Sequence, residues 1–357
     1  MIAFLLAHAV VAAMVAAYLS GATWAFTLPT FAFFAGIVVD QLFEADGRSA
    51  LAPDAARRSW RLVLFAWVPL HVAALLCGLH AAAHLTAGSD AFWPRMLQMA
   101  IALGMVGGTL GGALAHEFMH VPRTIDRMIG AGLMTLTTYG HFAIGHVAGH
   151  HRLVGTEADP ATARRGESLY PFLIRSFAGG LAIAWRAEAT RLRRARRRTC
   201  SVHNRLLQIA ACQAALYLVI ALAAGRNGVV LFALQSIVGA SLLEVMNYIM
   251  HYGLRRGRLA SGKPEPVRPE CSWNTRRLAT TYLLCGIGLH SHHHCRPSKP
   301  FPSLRVPAGA PELPGGLFAM FVLAWFPPLW GRVMDPLVDL WMRRSIASRE
   351  AVETGGV

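Results

Sequence analysis

Residues 96–115 read MLQMAIALGMVGGTLGGALA and run straight into HEFMH at 116–120. Twenty residues without a formal charge make a helix of about 30 Å, the thickness of a bilayer's hydrocarbon core. Five glycines within it, Gly104, Gly107, Gly108, Gly111 and Gly112, allow a second helix to approach closely. At its end stand His116 and His120. Four residues apart on a helix, two side chains share a face, with Cβ atoms roughly 5–6 Å apart. A membrane span that delivers paired imidazoles at its end is the unit from which the rest of the chain is read.

Five further apolar runs surround it, at 2–19, 24–39, 62–83, 206–224 and 229–249. The first two are joined only by Ser20-Gly21-Ala22-Thr23 and read as a helical hairpin. The chain is 54% hydrophobic and 15% charged over 357 residues, whereas an ordinary soluble domain is about 25% charged. The fold class is therefore all-α: one integral membrane domain, polytopic, with six transmembrane helices. Between and after the spans, 129–144 reads as interfacial or re-entrant, and 170–184 as amphipathic. Pro327-Pro328 splits the apolar stretch 317–333, which makes it an interfacial helix and not a seventh span. Residues 2–19 lack a basic flank and a cleavage-type sequence, so they read as a first span. Residues 345–357 read as a frayed tail.

Net charge is +15. In a soluble protein that would suggest nucleic acid; beside bilayer spans the cations are cytoplasmic flanks, and nucleic acid is excluded as a partner. The links 20–23, 84–95 and 225–228 hold only Arg95 and Arg226, while nearly all other Lys and Arg fall in 40–61, 116–205 and 251–357. The second set, with both termini, is thus expected in the cytoplasm, and the catalytic segments would be 116–205 and 251–340. A run from Arg186 to Arg198 carries seven arginines, suited to lipid phosphates or to an acidic redox partner. The six cysteines form no C-x-x-C pair, which argues against a disulfide framework or a thiolate metal site.

Sixteen histidines are present, and nine fall in patterned stretches. These are His116 and His120; His146, His150 and His151; His251; and His290, His293 and His294. All lie on the expected cytoplasmic side. His116/His120 and His146/His150 each have the spacing to bind one ion, and imidazole suits iron, zinc, copper or nickel. Nine ligands exceed the need of one ion, so four or five apiece for two ions is the simplest division. His8, His71, His80, His84 and His203 read as ordinary hydrogen-bonded residues, while His141 and His292 sit beside the clusters. His116-Glu117-x-x-His120 alone is the zinc-protease signature, but a protease would leave the other clusters without purpose. A transporter would carry its ligands near mid-span. A redox-capable pair of metals beside lipid suggests iron, with O₂ activated to attack an unactivated C–H bond.

At these residues the chain resembles the membrane-bound non-haem di-iron alkane 1-monooxygenases of the fatty-acid desaturase/hydroxylase superfamily. The family's first box stands as His116-Glu117-Phe118-Met119-His120, its second as Gly145-His146-Val147-Ala148-Gly149-His150-His151, its third as Asn247 to Gly253 and its fourth as Ile287 to His294. Thr156 to Ala161 is similar to a further family segment, and Asp40 and Asp46 to a family pair. The resemblance implies that the nine histidines bind two iron ions, with Glu117, Asp159, Asn247 and His292 beside them. It implies hydroxylation of a terminal methyl group of a hydrophobic substrate, a medium- or long-chain alkane above all. O₂ would be the oxidant, and rubredoxin or ferredoxin with its reductase the electron source, at the cell inner membrane. Hydroxylation of aromatic or terpene methyl groups and fatty-acyl desaturation are the alternatives. Three positions depart from the pattern: Gly145 and Met250 replace Glu, and His292 replaces Asp.

Overall fold

The structure, a computed structural model, describes residues 2–44 and 53–354. Asp46 lies outside them. Among the described residues the chain is helical, with isolated β-bridges and no β-strand. Helices are what apolar runs must form in lipid, because each satisfies its own backbone hydrogen bonds.

About five helical segments are long and apolar enough to cross a membrane: Ile2–Leu19, Ala25–Leu42, Trp60–Ala83, Phe92–His120 and Arg205–His251. The last is 47 residues, and it is not straight. Gly225 has φ 61° and ψ −162°, a backbone region open essentially to glycine alone. The Tyr217 and Phe232 rings lie 4.9 Å apart at their centroids; fifteen residues of straight helix would separate them by about 22 Å. The segment is thus a hairpin with arms 205–224 and 226–251, matching the fifth and sixth apolar runs. The expected polar link 225–228 shrinks to a single residue. Asn227 ties the bend to the link after the third helix, its side-chain amide donating to the Leu85 carbonyl at 3.0 Å.

The glycine-rich face of Phe92–His120 packs on the arm 226–251. A Cβ at Gly108 would overlap the Gly239 carbonyl oxygen, so the two backbones touch. This contact brings the ends of the two helices, His116–His120 and His251, to the same level. Outward-facing Phe31, Phe34, Leu62, Leu222 and Ile237 are exposed, the surface that lipid covers.

The connecting segments are short helices at the histidine-bearing end. Residues 129–144 resolve into helix Thr124–Thr135, a turn, and a further helix from Phe142. Arg61 donates to both carboxylate oxygens of Asp126 at 2.8 and 3.0 Å, fixing Thr124–Thr135 to the third helix. The amphipathic stretch becomes helix Leu169–Arg194. Leu317–Ala324 is short, and a second helix, Pro327–Thr354, starts at the proline pair, where the missing N–H costs nothing. Residues 345–354 continue that helix and are not the frayed tail expected of them. Asp40 is buried and accepts from the Thr280 backbone N–H at 3.0 Å and the Thr280 hydroxyl at 2.6 Å. It clamps the second helix to Leu278–Leu283, just before the fourth histidine stretch.

Candidate metal centre

The nine patterned histidines come together. His116, His120, His146, His151 and His293 form one group, and His150, His251, His290 and His294 another; within each, one nitrogen per ring lies within 4.8 Å of every other. Seven of the nine are buried, with His120 and His151 half-buried. The groups adjoin, since the His151 and His294 rings stack at 4.4 Å.

The division follows backbone geometry. His116 and His120 share a helix face and go to one group, and His290 and His294, also four apart, go to the other. His146 and His150 were expected to share an ion by the same spacing, but residues 146–150 form a π-helical turn. Its wider winding aligns His146 with His151, five residues on, and turns His150 to the second group. His293 stands about 60° around the helix from His290, on the side away from His294, and reaches across to the first group.

The donor set fits metal ions. His146 Nε2 and His151 Nε2 are 2.9 Å apart, His151 Nε2 and His293 Nε2 3.3 Å, His251 Nε2 and His290 Nε2 3.1 Å, and His290 Nε2 and His294 Nε2 3.0 Å. Two nitrogens each about 2.1 Å from one metal and at right angles about it would be about 3.0 Å apart. Burial first, then the neighbouring imidazoles, holds His146, His151, His293 and His294 well below the usual 6.5. Neutral lone pairs facing one another at this range repel unless a cation sits between them. Buried ring nitrogens of His116, His120 and His150 have no protein partner, which points the same way.

The opposite ring nitrogens set the orientation. His150 Nδ1–H donates to Asp159 at 2.8 Å and His251 Nδ1–H to the Cys271 carbonyl at 3.2 Å. Such bonds fix the tautomer that leaves Nε2 free. Asp159 also accepts from the Thr162 hydroxyl at 2.6 Å and the Ala161 N–H at 3.1 Å. Burial alone would raise its carboxyl, but the His150 ring and these hydrogen bonds outweigh burial and hold it low.

The other three residues expected beside the ligands make no hydrogen bond to a ligand ring among the described residues, though Asn247 lines a small cavity with His146 and His150. Glu117 is buried and accepts from the Phe301 N–H at 3.3 Å; it braces the segment after the fourth stretch and does not join either group. Asn247 donates to Glu244 at 3.2 Å. His292 is half-buried and turned outward, its Nδ1 accepting from the Arg305 N–H at 3.0 Å.

Several supporting residues were not singled out from sequence. Glu244 is buried and accepts from the Tyr139 hydroxyl at 2.6 Å and from the Ser176 hydroxyl. This joins three segments around a cavity of about 30 Å³ lined by His146, His150 and Asp159 among others, room for one water. An acid near the end of an apolar run was the available signal for Glu244. Asn274 accepts from Ser291 N–H at 3.0 Å and Ser291 Oγ at 2.8 Å, fixing the start of helix His290–Cys295. Nothing in a polar loop marks such a residue.

Two departures from the family pattern have local reasons. A Cβ at Gly145 would meet the Gly180 carbonyl oxygen at 3.0 Å, so the helix carrying the second stretch lies directly on Leu169–Arg194. Met250 is fully buried in the apolar core.

Membrane helices whose ends gather nine imidazoles into two adjoining metal-type groups define a membrane-bound metalloenzyme of the histidine-box class. Residues 91–306 match the fatty acid desaturase family. Alkane 1-monooxygenase 2 of Pseudomonas aeruginosa is 37% identical over 283 residues, covering 79% of this chain and 74% of that protein. The alkane 1-monooxygenase of Ectopseudomonas oleovorans is 36% identical over 284 residues, covering 80% and 70%. The xylene/toluene monooxygenase hydroxylase component XylM of Pseudomonas putida is 30% identical over 246 residues, covering 68% and 65%. The chain belongs to the fatty acid desaturase family, on its alkane 1-monooxygenase side, and is an oxidoreductase.

Proposed function

We propose that this protein holds two irons, one in each histidine group, and hydroxylates the terminal methyl group of a medium- or long-chain alkane. Electrons come from rubredoxin or ferredoxin through a reductase. The observation that carries the reading is the convergence of nine ring nitrogens into a group of five and a group of four. Iron held there would supply O₂ activation for attack on an unactivated C–H bond.

The protein's own part is orientation and exclusion of water. Asp159 and the Cys271 carbonyl aim His150 and His251. The buried rings and the apolar helix ends shield the reacting methyl group from solvent. Glu244 holds the arm 226–251 to Leu169–Arg194. The loop charges support a multi-pass inner-membrane protein with its metal centre and termini in the cytoplasm. The similarity to XylM supports a second reading, in which the methyl group belongs to an aromatic ring.

Purified protein is expected to carry close to two irons per chain. With ¹⁸O₂, a reductase and reduced rubredoxin, octane or hexadecane should yield labelled terminal alcohol. Label only in alcohol from xylene would favour the second reading, and an unlabelled alkene product would assign desaturation. An active preparation stoichiometric in zinc and free of iron would refute the iron assignment.

A further inference from the structure

The nine rings are buried or half-buried, so electrons from a protein-sized donor must cross a segment that carries them. Helix His290–Cys295 is six residues long and supplies rings to both groups, His293 to one and His290 and His294 to the other. Its half-exposed residues are His292 and Cys295. Arg296 and Arg305 are exposed and Lys299 is partly exposed. The Arg305 N–H donates to His292 Nδ1 at 3.0 Å, and the Lys299 N–H to the Arg296 carbonyl at 2.9 Å; these bonds draw the four residues into one patch.

Among the described residues none of these three cations forms an ion pair, whereas Arg165, Arg255 and Arg276 are each paired with an acid. An unpaired cluster of like charge is a surface that an incoming anionic partner relieves. The family pattern places Asp at position 292; here His removes a negative charge from the middle of the patch.

We propose that His292, Arg296, Lys299 and Arg305 form the docking face for a small acidic electron-transfer protein. This rests on the di-iron hydroxylase reading. Each docking event passes one electron from the reduced donor, which leaves oxidised. Two such electrons and two protons, with one O₂, convert the methyl group to an alcohol and release one water.

The rival surface is the arginine run at the end of Leu169–Arg194. That helix meets the second histidine stretch where Ile183 faces Gly149. Arg186 stands apart from the rest of the run and Arg191 is paired with Glu188; the remaining arginines begin at Arg193, ten residues further along (193 − 183), or about 15 Å. Electron transfer weakens steeply with distance, and arginines at a helix end suit lipid phosphates.

The test uses the full chain, iron-loaded in nanodiscs, with reduced rubredoxin as the donor. The variant R296E/K299E/R305E is expected to raise the KM for rubredoxin about tenfold or more and to flatten its salt dependence. Iron content and reduction by dithionite with a neutral mediator should hold. H292D should raise KM by a smaller factor. R193E/R197E/R198E should leave KM as it was. An unchanged KM in the first variant, or a larger rise in the last, overturns the proposal. So does a first variant that changes only the affinity for phosphatidylglycerol, which would assign the patch to lipid. Should the triple variant lose iron, R305E decides alone: its side chain has no hydrogen bond among the described residues, and about a threefold rise is expected. A wild-type protein without iron would refute the di-iron reading separately, and direct binding of rubredoxin to wild type and R305E would still decide the docking face.

Discussion

Asp159 governs which nitrogen of His150 faces the second group. Without it, Nδ1–H would sit buried and unpaired, and the ring would lose its fixed tautomer. Asp159→Ala is therefore expected to weaken metal retention by about 10–100-fold. Iron remaining after timed exposure to a chelator measures this, and wild-type retention would show that the carboxylate is dispensable. Gly145 makes a different demand. Its Cβ position is 3.0 Å from the Gly180 carbonyl oxygen, and neither backbone can give way freely. Gly145→Ala should cost about 1–3 kcal/mol by overpacking, seen as a lower unfolding temperature in detergent. A variant as stable as wild type would mean that the two helices are not in contact. Position 145 also shows where sequence reading stops. The missing acid was visible, but its reason lies in a helix more than thirty residues away in the chain.

At the scale of elements, composition and hydropathy were enough to find the apolar helices, because a bilayer leaves the backbone few choices. They could not find the π-helical turn at 146–150. Histidine spacing there reads as an ordinary i, i+4 pair, and only the backbone shows that His146 partners His151. The division of nine rings into five and four was legible as a number and not as an assignment. Glu244, Tyr139 and Ser176 belong to three separate segments, and no local pattern links them. Gly225 is the element-scale hinge on which the last two arms depend. With φ 61° and ψ −162°, Gly225→Ala should be destabilised by about 1–3 kcal/mol. Thermal unfolding of the purified variant measures this, and an unshifted midpoint would show that the bend tolerates a side chain.

For the whole molecule, the buried imidazoles couple stability to pH. Burial, then neighbouring rings, holds His146, His151, His290, His293 and His294 well below the usual 6.5; for His290 the largest neighbouring effect is that of His251. In the unfolded chain the same rings take up protons as pH falls through about 6.5. The unfolded state then binds more protons than the folded one, so stability rises with pH below that value and levels off above it. Metal-free protein is expected to lose stability progressively below pH about 6.5. Unfolding midpoints between roughly pH 5 and 8 would check this, and a flat profile would count against neutral rings in the fold.

Two short segments, 146–151 and 290–294, each send rings to both groups. A strut shared in this way cannot be ordered for one ion and left loose for the other. Filling one position sets the backbone that presents three of the four ligands of the smaller group, or three of the five of the larger, and the second ion therefore binds a chain already shaped for it. Loading should be cooperative, and native mass spectra during metal titration should pass from empty to doubly filled chains with little singly filled protein between. In a cell short of iron, such a protein would divide its population into complete enzymes and idle ones, and the supply of metal would set how many enzymes work, not how well each one does.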